Sequence, residues 1–178
     1  MNRLLLALAL TLTAAAPALA DPTADVKNAM ISFANAKSFH VSADDAGKNV
    51  EADIVPPAKA HFVAGPFELI TISGTTWVKA GGSWHQFAIP GMDRITVFVT
   101  GAIDTVRNPP ADMVVTDLGT KSIDGATLHG YTIANKAGAS PSTIYLDGSG
   151  NLARVESSSG GVVRFSKFNA PLDISPPN

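Results

Sequence analysis

Four histidines, His40, His61, His85 and His129, are the side chains best able to bind a metal or move a proton near neutral pH. A metal site legible in sequence needs two of them closely spaced, as in H-x-H or H-E-x-x-H, and no pair is. Each falls in a different strand-like segment, the setting of surface or hydrogen-bonded histidines. No metal and no cofactor is expected. A serine nucleophile needs a G-x-S-x-G elbow between strand and helix. The nearest match, Gly138-Ala139-Ser140-Pro141-Ser142, has proline and serine where helix entry and glycine belong, and reads as a polar turn. Asp44 and Asp45, close to Gly47, read as solvated turn carboxylates. Gly81-Gly82 joins two strands without a helix behind it, so it is no phosphate loop. The chain reads as a non-enzyme; a site of histidines and carboxylates assembled only by the fold is the weaker alternative.

Trp77 and Trp84 have a sharper context, on consecutive strands joined by Ala80-Gly81-Gly82. They suit either hairpin packing or the wall of an apolar pocket. Between Met92 and Arg107, Ile95, Phe98, Val99, Ala102, Ile103 and Val106 follow i, i+3, i+4, i+7, i+8, i+11. That is helical spacing, ended by Asn108-Pro109-Pro110. The β-branched run Ile95–Thr100 suits a strand too, but sixteen residues is long for one, and the helix is favoured.

The elements that must hold these residues begin with a different kind of segment. Arg3, the apolar run Leu4–Leu12 and Ala18-Leu19-Ala20 before Asp21-Pro22 form a secretory signal peptide, with cleavage expected after Ala20. The apolar run is short of the roughly 20 residues needed to span a bilayer. Residues 21–178 are then one exported domain, a size that buries about two-thirds of its unfolded-chain surface. The full chain has a formal charge of −2, and loses one more positive charge with Arg3. It has no basic cluster, so nucleic acid is not an expected partner. It also has no cysteine, which excludes disulfides, thiol catalysis and a lipid-anchored N-terminus, and points to a bacterial periplasm.

Thr23–Ala36 carries Val26, Met30 and Phe33 on one stripe and is expected to be helical. Strands are expected over 38–44, 49–55, 58–64, 67–73, 75–79 and 83–87, and after the helix over 113–118, 126–134, 142–147, 152–157 and 162–168. Glycine turns between them suit an antiparallel meander. Asn169–Pro177 is proline-rich and expected to lie extended over the surface. The class is α+β, one strongly curved antiparallel sheet. Phe67-Glu-Leu-Ile-Thr-Ile72 is apolar on both sides, so the sheet needs cover on both faces or encloses a cavity, with 92–107 as lid.

Glu68–Phe87, ELITISGTTWVKAGGSWHQF, resembles the strand–glycine–strand unit of the LolA-like bacterial lipid and lipoprotein carriers, nearest in pattern to the branch of mycobacterial lipid-carrier lipoproteins. Asp117–Ile133, Ser142–Ser157 and Phe165–Pro177 resemble that family's later hairpins and its proline-ended tail. Tyr145 stands where the family often has tryptophan, and no residue matches the arginine with which dedicated lipoprotein carriers hold their lid. The resemblance implies an unclosed half-barrel with a helical lid over a hydrophobic cavity, and a periplasmic carrier that binds acyl chains without catalysis. Its partners would be a lipid or acylated lipoprotein and a membrane-bound donor or acceptor protein, with the carrier itself a monomer. The expected lining is Phe62, Ile70, Trp77, Ile95, Phe98, Val99 and Ile103. The alternative is a periplasmic sensor or accessory module that binds a protein partner.

Overall fold

The computed structural model describes residues 21–45, 48–87, 113–135 and 141–177. The expected helix at 92–107 therefore lies outside the described residues, as do Ile95, Phe98, Val99 and Ile103.

One helix, α1 (Pro22–Ala34), precedes the strands. Asp21 caps it, accepting the Thr23 N–H at 3.0 Å, and Pro22 fills the first turn, where a missing N–H costs nothing. Its inner stripe is Val26, Ala29, Phe33 and Ala34.

Eleven strands follow: β1 (Phe39–Asp45), β2 (Lys48–Val55), β3 (Lys59–Ala64), β4 (Phe67–Ile72), β5 (Thr75–Ala80), β6 (Ser83–Phe87), β7 (Met113–Ile123), β8 (Ala126–Asn135), β9 (Ser142–Leu146), β10 (Leu152–Glu156) and β11 (Val162–Ser166). They form one antiparallel sheet in the order β6-β5-β4-β3-β2-β1-β11-β10-β9-β8-β7. Two meanders, β1 to β6 and β7 to β11, are thus joined where β1 pairs with β11, with Val41 opposite Phe165. Among the described residues β6 and β7 are not paired, so the sheet is an unclosed half-barrel, as expected.

The β7–β8 hairpin is longer than the sequence suggested, because Lys121–Ile123 carries no apolar alternation to mark it as strand. A bulge between Asp117 and Gly119 bends it. Gly119 has φ of 70°, a conformation glycine adopts without strain, and its N–H is held by Asp117 Oδ1 at 2.7 Å. The bend carries the hairpin tip over the outer face, where Asp124 accepts from Arg154 at 3.0 Å and Arg164 at 3.3 Å. Gly130 makes room for the buried Tyr145 ring: a Cβ there would sit 3.0 Å from Tyr145 Cε1.

The C-terminal residues 170–177 have no regular structure and run along the sheet, as expected of a proline-rich tail. Ser38 Oγ donates to the Ala170 carbonyl at 2.5 Å, and Lys59 Nζ donates to the Ile174 carbonyl at 3.2 Å.

Candidate functional site

Alternation along each strand and the pairing register assign every side chain to one of two faces. On the inner face Phe39 stands opposite Ile54, Val41 opposite Ala52 and Phe165, and Ala52 opposite Phe62. The row continues with Phe62 opposite Leu69 and Leu69 opposite Val78. In the other meander Val163 faces Val155, Val155 faces Ile144, and Ile144 faces Tyr131. A continuous apolar surface therefore crosses the sheet from β5 to β8.

α1 covers the middle of this surface. Val26, Ala29 and Phe33 join Phe39, Ala52, Ile54, Ala60, Tyr131, Ile144, Leu146 and Leu152 in one buried core. Phe33 packs 4.9 Å from Phe39 and 5.1 Å from Phe165 between ring centroids, in tilted and edge-on geometry. A polar tie is Tyr131, whose hydroxyl donates to Asp25 Oδ2 at 3.0 Å. Burial, and then the Asp25 carboxylate, push the Tyr131 phenol up to about 12. Away from the helix, Val41, Phe62, Leu69 and Val78 are only half-buried. Further toward the strand ends, Val50 and Ala64 are half-buried and Phe67 is 69% exposed.

Phe62 thus lies on the inner apolar face. Ile70 and Trp77 do not: they stand opposite one another on the outer face. Phe67–Ile72 is apolar at both parities, so sequence alone does not say which alternate set points inward. Ile70 is buried there beneath the tail, sharing a cleft of about 400 Å³ with His61, Trp84 and the buried Ile174. Trp84 is on the same outer face as Trp77 but one diagonal step away, with Lys79 Nζ 5.4 Å from its ring centroid. Leu69, Val78, Val41 and Tyr131 are inner-face residues that the sequence reading did not single out. The signal that finds them is the register running outward from Phe39, which α1 buries.

Polar pairs share the outer face with Ile70, Trp77 and Trp84. His40 sits between Asp53 and Glu51, 2.7 Å from each. Glu51 also accepts from Asn49 at 2.9 Å, and this bond is the main reason its carboxyl is held below the usual range, with His40 and Ser42 adding to it. Lys79 at 2.7 Å, and then His61, lower Glu68 in the same way. Asp117, lowered by the Gly119 N–H and then by His129, belongs to the other face: it stands opposite Tyr131, and His129 opposite Leu146. These histidines stand on separate strands, as expected, each spent on a neighbouring carboxylate. Ser42 bonds to Glu51 and not to the imidazole, so no relay from serine to histidine forms. Among the described residues no group of three or more His, Asp and Glu could hold a metal ion.

No protein-family model and no curated protein matches the sequence. Solved structures do. The Mycobacterium tuberculosis lipoprotein LppX superposes with a TM-score of 0.60 at 20% identity, over 88% of this chain and 100% of that one. The chain has the fold of LppX. MucB superposes at 0.51 with 14% identity over 86% of this chain, and MucB in complex with MucA(peri) at 0.50 with 12% identity. This chain spans only 63% of the MucB chain in the first and 58% in the second. At these identities the likeness is one of fold.

Proposed function

We propose that the domain is an exported carrier that holds the acyl chain of a lipid, or of an acylated lipoprotein, against its inner apolar face. It would work in the periplasm after cleavage at Ala20. One observation carries this: an apolar surface continuous from β5 to β8, of which, among the described residues, the helix α1 covers only the middle. Val41, Phe62, Leu69 and Val78 are the residues beside α1 that would line the ligand, and Ile95, Phe98, Val99 and Ile103 would close over it. Ile70 and Trp77 would support the sheet from outside. Binding would proceed by burying apolar surface, worth about 25 cal/mol per Å², and release would need no covalent chemistry. The half-buried state of Phe62 and Leu69 supports the reading, because a fully closed core would leave them no exposed area to give up.

The test is titration of the lipid-free protein with a fluorescent fatty acid. Saturable binding is expected, weakened about tenfold or more in Phe62→Asp, since a carboxylate beside an alkyl chain must be desolvated. Absence of binding by the wild-type protein would sink the proposal. The same fold in MucB, solved in complex with MucA(peri), supports a second reading in which this chain is a sensor or accessory module for a protein partner. Exposed Val114 and Leu118 on the edge strand β7 favour that face for such a partner.

A further inference from the structure

One end of the half-barrel has several turns without charge. There lie the turns β1–β2, β3–β4, β5–β6 and β10–β11, aligned because Asp44 pairs with Asn49 and Val162, Ala64 with Phe67, and Ala80 with Ser83. Gly65-Pro66, Gly81-Gly82 and Ser157–Gly161 contain no ionisable side chain, and the β1–β2 turn is flanked by Asp44, Asp45 and Lys48. The same end carries the most exposed of the large hydrophobic side chains described, Phe67 at 69%. Val63, beside it on the outer face, is 37% exposed. Phe67 is no isolated surface residue: it continues the inner row of Phe62 and Leu69. With Val50, Val63, Ala64 and Pro66 it lines a groove of about 690 Å³ that opens at this rim.

We propose that this rim docks on the surface of a bilayer with electrically neutral headgroups, Phe67 entering the interface so that an acyl chain passes from the membrane along the groove to the inner face. The inference deepens the carrier reading and rests on it. A rim of glycine, serine and proline approaches headgroups without stripping water from charges, and an aromatic ring is at home at that depth. Asp44, exposed on the first turn, and Glu51 in the groove wall repel an anionic surface, which is why the partner is a neutral one. The continuity of Phe67 with the apolar row argues against a second copy of the chain as occupant, since a dimer through this rim would block the groove.

The experiment compares wild type, Phe67→Ser and Phe67→Trp in flotation with phosphatidylcholine vesicles and in the rate of uptake of a fluorescent fatty acid from them. Binding of the same fatty acid dispersed in buffer is measured alongside. Wild type is expected to float with the vesicles. Phe67→Ser should float less and take up the fatty acid about five- to tenfold more slowly, the loss from removing one ring from an apolar contact. Its affinity for dispersed fatty acid should fall less than its uptake rate from vesicles, and an equal fall in both would overturn the proposal by making Phe67 part of the binding surface alone. Phe67→Trp should keep the wild-type rate and show added emission that shifts to the blue with vesicles. Equal uptake by wild type and Phe67→Ser would overturn the proposal, as would docking only on anionic vesicles, or a dimer that Phe67→Ser dissociates in sedimentation. A wild type that binds no dispersed fatty acid would instead overturn the carrier reading, and flotation would still decide the rim.

Discussion

At the scale of single residues, the firmest polar tie between helix and sheet is Tyr131 to Asp25. Its phenol is raised from 10.0 to about 12 in the folded protein, so folding favours the protonated form. That contribution is complete below pH 10 and is lost as pH climbs toward about 12. Tyr131→Phe should cost about 1–2 kcal/mol at neutral pH, as expected for a hydrogen bond to a charged acceptor. It should also flatten the alkaline fall in stability, read from urea midpoints at pH 7, 10 and 11. An unchanged alkaline slope would show that the bond does not hold the helix in solution. Residue facing is also where sequence reading reached its limit. Phe62, Ile70 and Trp77 read alike as lining, and Ile70 and Trp77 could not be separated from Leu69 and Val78, because the β4 and β5 strands are apolar on both sides. Register fixes the choice, and register depends on contacts between strands that no single strand encodes.

Among the elements, the helix and nearly every strand were legible, because a 3.6-residue stripe and glycine-punctuated alternation are strong local signals. What was not legible was why β3 to β6 carry Ile70, Trp77 and Trp84 outside, beside His61, Glu68 and Lys79. The reason is the tail: residues 170–177 lie across that face, and Ile174 is 3% exposed beside Ile70. A proline-rich extended segment has no periodicity that would announce a buried residue. Ile174→Ala should therefore destabilise the domain by about 2–3 kcal/mol, as a buried isoleucine does when truncated, and Leu172→Ala, half-buried in the same tail, should cost less. Thermal unfolding of the two variants checks this. Equal small losses would mean the tail is loosely applied.

For the whole molecule, the arrangement has one consequence above all. Among the described residues, the eleven-stranded sheet is open between β6 and β7 and has a larger apolar inner face than the 13-residue helix α1 covers. The pairing of β1 with β11 makes the two meanders a single curved surface rather than two, and the outer face carries the histidine–carboxylate pairs of His40 and His61. The shared fold with LppX extends over the full length of that chain. The most direct test of the carrier reading is native mass spectrometry of the exported protein purified without detergent. The account predicts the mass of residues 21–178 together with a discrete adduct in the mass range of an acyl lipid, one per chain, that Phe62→Asp loses. Only the bare protein mass, from a sample that also takes up no added fatty acid, would contradict it.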